Sequence, residues 1–151
     1  YVSTLANGGT RYKAHFVESI KSADYSETLY QAKPEVLGTV GGSKSSYDAV
    51  KKGMISMANT YASLREADYQ VAAKTGTSQE YRNLGGSSVK INNGFLIAFA
   101  PYESPEIAVA VVGEGMTSGT FVAPVVADIV EYYYGQSDEL DTYQPENVLI
   151  P

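Results

Sequence analysis

Lys74-Thr75-Gly76-Thr77 is the sharpest cluster of reactive residue types in this 151-residue sequence: a cation and two hydroxyls around a glycine, closing the apolar run Val71-Ala72-Ala73. On a strand, Lys74 and Gly76 share one face and Thr75 and Thr77 the other, unless the backbone bends at the glycine. Gly76 carries no Cβ to hold a ligand away from the backbone. An ammonium, hydroxyls and free N–H donors at such an edge suit a carboxylate and a developing oxyanion. A phosphate loop is excluded by residue order. There the lysine follows a glycine-rich arch and precedes a Ser/Thr at a helix start, whereas Lys74 follows two alanines and precedes its glycine. The alternative reading is a solvated lysine on an ordinary edge strand.

Other chemistries find less support. The 17 acidic residues outnumber the 11 basic ones, for a net charge of -6, which is the wrong sign for a nucleic-acid backbone or an anionic membrane surface. Cysteine is absent, so thiolate nucleophiles, disulfides and thiolate zinc sites are excluded, while the redox compartment stays undetermined. His15 is the only histidine, too few for a histidine-rich metal centre. Acid/base work therefore falls to lysine, tyrosine or carboxylates, and no pattern asks for a metal or a cofactor. His15 itself, between Ala14 and Phe16, reads as a strand or surface residue. Glu103, Glu106 and Glu114 show no convergence toward a dyad and read as solvated. The longest apolar runs, Phe95 to Ala100 and Ile107 to Val112, fall short of the roughly 18 to 20 residues that cross a bilayer.

The elements that must position Lys74 follow from periodicity. Hydrophobic residues make up 44% of the chain, enough for one core. The expected class is α/β of the α+β type, an antiparallel sheet flanked by helices. Tyr1 to Gly9 reads as the end of a helix whose beginning is missing, closed by Gly8 and Gly9. Arg11 to Val40 reads as a peripheral hairpin and connecting loop, with β-formers at His15-Phe16-Val17 and Thr28-Leu29-Tyr30 and a polar turn at Lys21-Ser22-Ala23-Asp24. After Gly41-Gly42 and a run of hydroxyls, Val50, Met54, Met57, Ala58 and Tyr61 fall on one helical face, ending near Asn59 or Thr60. Met54 and Met57 are expected in the core. Strands are expected at 70–78, 94–101 and 107–113, the last two as hairpin neighbours and apolar on both faces. Residues 80–93, with Gly85-Gly86-Ser87-Ser88 at their middle, read as a mobile loop. Val122, Val125, Val126, Ile129, Val130 and Tyr133 give a second helical stripe, with Pro124 in its first turn and Gly135 past its end. The consecutive Tyr132, Tyr133 and Tyr134 place at least one ring inward. Residues 136–151 read as a surface-following tail.

Lys74-Thr75-Gly76-Thr77 resembles the K-T-G-T motif of the transpeptidase domains of class B penicillin-binding proteins, within the penicillin-recognising serine enzymes. Tyr1 to Gly9 is similar to that family's helix end in ANGG, Gly53-Met54 to the G-M of the helix before the motif strand, and Gly94 to Val112 to its paired apolar strands. Ala98 stands where many relatives have glycine. Order and spacing agree over most of the chain, which implies the C-terminal portion (1–135) of a β-lactamase/transpeptidase-like fold, followed by the tail.

The resemblance implies roles. Lys74 would hold a serine of the second motif and orient substrate; Thr75 and Thr77 would bind the carboxylate of a stem-peptide D-alanine or a β-lactam; Gly76 would permit close approach; the Thr77 N–H would be one oxyanion donor. The S-x-x-K nucleophile and the S-x-N or S-x-D triad are expected before Tyr1, so the chain alone is expected to be inactive. Its implied partner is the N-terminal remainder of the same domain, and its implied location the extracytoplasmic face of the bacterial membrane, anchored by that remainder. Two literal matches are set aside. Ser87-Ser88-Val89-Lys90 lies in the expected glycine-rich loop rather than at the start of a buried helix, and Ser22-Ala23-Asp24 is explained by its turn. A noncatalytic β-lactam sensor or a scaffold of the same fold is the alternative function. If the covering segment is missing, an apolar patch should be exposed.

Overall fold

A computed structural model describes residues 1–140 of the chain, and its centre is a three-stranded antiparallel sheet in the order β5-β6-β7. The strands are β5 (Ala72–Leu84), β6 (Ser87–Ala100) and β7 (Ile107–Gly113). The stretch expected as a loop over residues 80–93 is instead an extension of β5 and β6 into a long two-stranded ribbon. Gly85 and Gly86 close it with φ of 61° and 85°, the left-handed pair that a two-residue hairpin turn requires. Burial could not have signalled it. The ribbon's outer residues, such as Tyr81, Leu84 and Val89, are exposed, so backbone pairing rather than an apolar period holds it together.

The two faces of the sheet bury separate clusters. On one, Ala72 and Phe99 pack against Val2, Leu5 and Ala6 of α1 (Val2–Ala6) and against Met54 of α2 (Lys44–Ala58). On the other, Ala73, Leu96, Ala98 and Val109 meet α3 (Ala62–Arg65), a 3-10 turn (Gly119–Val122) and α4 (Ala123–Leu140) through Leu64, Val122, Val126 and Val130. The helix α2 starts where its hydroxyl run predicts: Ser43 is the N-cap, its Oγ accepting from the Ser46 N–H at 3.1 Å. Met54 and Ala58 are buried and Met57 is half-buried, but Val50 of the same stripe is 47% exposed.

The register of α4 departs from its sequence stripe. Val122, Val126 and Val130 face the core together with Ala123 and Ala127, whereas Val125, Ile129 and Tyr133 turn outward. Small alanines let the helix lie close on the sheet along the 123/127 row, which rotates the 125/129/133 row away. Tyr134 is the inward ring of the tyrosine run. It stacks on Tyr69 with centroids 4.0 Å apart, and its hydroxyl donates to the Ala100 carbonyl at 3.3 Å. The helix also passes through Gly135 to Leu140 rather than ending there, since a helical glycine costs only about 1 kcal/mol against alanine. Of the expected tail, residues 136–140 are thus helical and 141–151 lie outside the described residues.

The stretch between α1 and α2 forms two small antiparallel pairs, β1 (Thr10–Tyr12) with β4 (Val36–Thr39) and β2 (Ser19–Lys21) with β3 (Thr28–Gln31). The second is a hairpin in the expected region, but its first strand is 19–21 rather than the expected 15–17; the first pair joins segments some 25 residues apart and has no local signal. His15 lies in the exposed connection between β1 and β2, not in a strand. Asn7 ties the end of α1 to β1, its Nδ2 donating to the Thr10 carbonyl at 2.7 Å and its Oδ1 accepting from the Thr10 N–H at 2.9 Å.

Phe99 is fully buried between both helices and the sheet, so Phe99→Ala is expected to cost about 3–5 kcal/mol, measured by denaturant unfolding. Burial first, then the charge of Glu106, pushes the Tyr134 phenol from 10.0 up to about 12. The unfolded chain releases that proton first, so the stability this group contributes is complete below pH 10 and lost as pH rises from about 10 to about 12. Thermal unfolding of Tyr134→Phe across that window is expected to show a shallower alkaline decline than the parent.

Candidate functional site

The position of Lys74-Thr75-Gly76-Thr77 in the sheet decides which backbone groups are free. The strand β5 pairs with β6 on one side and, among the described residues, with nothing on the other. The pairing runs from Leu84↔Ser87 to Ala72↔Phe99 without a shift. A two-residue turn hydrogen-bonds the residues that flank it, here Leu84 and Ser87. Hydrogen-bonded and non-hydrogen-bonded pairs then alternate along an antiparallel ladder. Counting by twos, Lys74↔Ile97 and Gly76↔Phe95 are hydrogen-bonded pairs, whereas Thr75↔Leu96 and Thr77↔Gly94 are not. The N–H and C=O groups of Thr75 and Thr77 therefore face the open margin of the sheet. The Lys74 Nζ donates to the Thr75 carbonyl at 2.7 Å, as an outward carbonyl allows.

Lys74 shares its sheet face with Ile97 and Phe99 and lines a cleft of about 370 Å³ with Leu5, Val50, Met54, Met57 and Ile97. Tyr1 also lines it and the rest of the wall is mostly apolar, so an anion entering there meets the Lys74 ammonium and little competing polarity. Thr75 is half-buried and Thr77 exposed, and by strand alternation their side chains lie on the face opposite Lys74. The arrangement holds a cation, outward amides and hydroxyls along a single margin. It can bind and orient an anionic group. Among the described residues there is no group of three metal-ligating side chains.

Other sequence candidates fall away from this margin. Ser87, Ser88 and Lys90 are exposed at the start of β6, at the far tip of the ribbon. Ser22 and Asp24 are engaged in the β2–β3 turn: the Asp24 carboxylate accepts from Ser22 Oγ at 2.6 Å and from Ser26 Oγ at 2.8 Å. Those hydroxyl donors, Ser22 first, hold the Asp24 carboxyl down at about 2. Glu103 and Glu106 are exposed, and Glu114, expected to be merely solvated, pairs with Arg82. Arg82 also reaches Glu80 at 2.5 Å, and the Gly115 N–H donates to Asn93 Oδ1 at 3.0 Å. The Arg82–Glu114 and Asn93–Gly115 contacts escaped sequence reasoning because their partners are 32 and 22 residues apart in the chain. The Gly-Gly pair, taken as a two-residue turn, was the available signal.

The description "Penicillin binding protein transpeptidase domain" matches residues 1–131, and the chain belongs to that family. Penicillin-binding protein 2A of Bacillus subtilis is 35% identical over 123 residues, covering 74% of this chain and 17% of that protein. The structure of penicillin-binding protein 2B from Streptococcus pneumoniae superposes with a TM-score of 0.73 at 26% identity, covering 98% of this chain and 24% of that one. Penicillin-binding protein A from M. tuberculosis, solved as an imipenem acyl-enzyme complex, gives a TM-score of 0.69 at 25% identity over 86% of this chain and 28% of that one. The chain thus spans less than a third of each of these proteins, and the likeness is to part of a transpeptidase domain.

Replacing Ser22 by alanine is expected to raise the Asp24 carboxyl from about 2 toward the ordinary aspartate range, followed by carbon-detected NMR titration. Labelling by a fluorescent penicillin in the protein that carries this chain is expected to be unchanged by the same substitution.

Proposed function

We propose that this chain is the substrate-aligning, C-terminal part of a peptidoglycan D,D-transpeptidase domain that also binds penicillin. The observation that carries the reading is the Thr77 N–H facing an open sheet margin, with the Lys74 ammonium three residues away on the same strand. Lys74 attracts the substrate and holds the second-motif serine; Thr75 and Thr77 hydrogen-bond the terminal carboxylate of a stem peptide or a β-lactam; Gly76 lets it come close; the Thr77 amide donates to the oxyanion. The nucleophile comes from the remainder of the domain, which precedes Tyr1. Its serine Oγ bonds to the penultimate D-alanine carbonyl, and the peptide C–N bond breaks as D-alanine departs with a proton. An acceptor amine from a second stem peptide then attacks the ester carbonyl, returning the serine and forming the cross-link.

Exposed apolar surface supports a partner covering this chain. Val112, beside Phe95 on the Lys74 face, is 61% exposed, and the outer row of α4 presents Val125 and Ile129. An apolar strand face and an apolar helix row are where a second half of one core would close. We assign the assembled domain to the extracytoplasmic face of the membrane, with the anchor in the preceding part; among the described residues no helix is long and apolar enough to cross a bilayer.

The isolated chain is expected to take up no fluorescent penicillin, and to become part of a labelled complex when mixed with the preceding segment. In the full-length protein, Lys74→Ala is expected to slow acylation by about 100-fold, the scale of losing one electrostatic stabiliser of the transition state. Labelling of the isolated chain at any serine would overturn the proposal. Unchanged acylation and cross-linking in Lys74→Ala would favour a scaffold, whereas acylation without cross-linking in the parent protein would favour a sensor.

A further inference from the structure

The loop from Gly113 to Gly119, between β7 and the 3-10 turn, is fastened to the sheet at three places. Glu114 pairs with Arg82, which reaches back from near the tip of the ribbon and also pairs with Glu80. The Gly115 N–H donates to the side chain of Asn93 at 3.0 Å. At the far end, Ser118 and Gly119 lie directly on the backbones of β5 and β6. A Cβ on Gly94 would fall 2.5 Å from the Ser118 carbonyl oxygen, and a Cβ on Gly119 would fall 2.0 Å from the Phe95 oxygen and 3.0 Å from the Gly76 oxygen. No side chain fits there.

The contact at Gly76 matters because of what shares its peptide. The Gly76 C=O and the Thr77 N–H are opposite ends of one planar unit, so displacing the carbonyl tilts the N–H. That N–H is the group facing the open margin. Gly119 therefore backs the very plane whose other end meets the substrate, and Arg82 with Asn93 hold the loop that carries it.

We propose that the 113–119 loop is a positioning element for the Thr77 amide, with Gly119 as its point of contact and the Arg82–Glu114 pair as its tether. The inference rests on the transpeptidase reading above and deepens it. Neither residue touches substrate. Both act through the orientation of the Gly76–Thr77 peptide, and a misplacement of about 1 Å at such a donor is enough to slow acyl transfer.

The test is stopped-flow acylation of the full-length protein by a fluorescent penicillin over a concentration range, which separates noncovalent affinity from the acylation rate constant. Arg82→Gln is expected to lower the rate constant about tenfold with affinity unchanged, less than the loss from deleting a donor outright. Arg82→Lys, which keeps the charge, is expected to restore most of it. Gly119→Ala is expected to lower it further, and if that variant does not fold, Arg82→Gln decides. The Thr77 amide resonance in a selectively labelled protein is expected to move in Arg82→Gln. A wild-type rate constant together with an unmoved Thr77 resonance, or equal losses in rate and affinity, would overturn the inference. A parent protein that penicillin does not acylate would overturn the transpeptidase reading instead, and the Thr77 resonance would still report whether the loop sets that amide.

Discussion

The unshifted antiparallel register between β5 and β6 is the constraint on which the rest of this structure depends. It starts at a two-residue turn whose glycines adopt positive φ, and it runs thirteen pairs to the core end of the sheet. Because ladder pairs alternate strictly, one turn at the tip decides which amides point outward at the other end. A single-residue bulge anywhere between Leu84 and Thr77 would turn the Thr77 N–H into the sheet and leave the margin without its donor. The ribbon thus serves the site without touching it.

Around that register the sheet is gripped unequally. Its core end is closed on both faces, by Phe99 against α1 and α2 and by Leu96 and Ala98 against α4. Toward Gly76 the helices give way to a cleft on one face and to the Ser118–Gly119 turn on the other. Rigid packing at one end and backbone-to-backbone contact at the other hold the margin steady while leaving it open. Under the proposed reading, a margin held in this way would avoid reorganisation when charge develops. The exposed Val112 face and the outer row of α4 belong to the same logic: apolar surface extends beyond what the described residues cover.

Much of this was legible in the sequence. The helix at 44–58 announced itself by its hydroxyl N-cap and apolar period, β7 matched residue for residue, and Lys74-Thr75-Gly76-Thr77 does follow an apolar run on a strand, near the start of β5 rather than at its end. Where sequence and structure differ, the competing physics is identifiable. The ribbon has the sequence of a loop because its residues are solvated on both faces and show no burial period. The outward turn of Val125, Ile129 and Tyr133 was missed because α4 carries two adjacent apolar rows, and periodicity alone cannot rank them; the small Ala123 and Ala127 did. Nothing local marks Glu114 as paired, because its partner Arg82 is 32 residues away.

By itself the sequence determined the chemistry available: one lysine among hydroxyls beside a glycine, no thiol, a single histidine, and apolar strands able to carry them. Those are properties of residue type and local period, which the chain possesses before it folds. Only the tertiary structure decided which way the Thr77 amide points, what stands behind it, and which charges are paired. Those depend on register and on contacts between residues far apart in the chain, and a strand's alternation fixes directions only once its partner and its turn are in place.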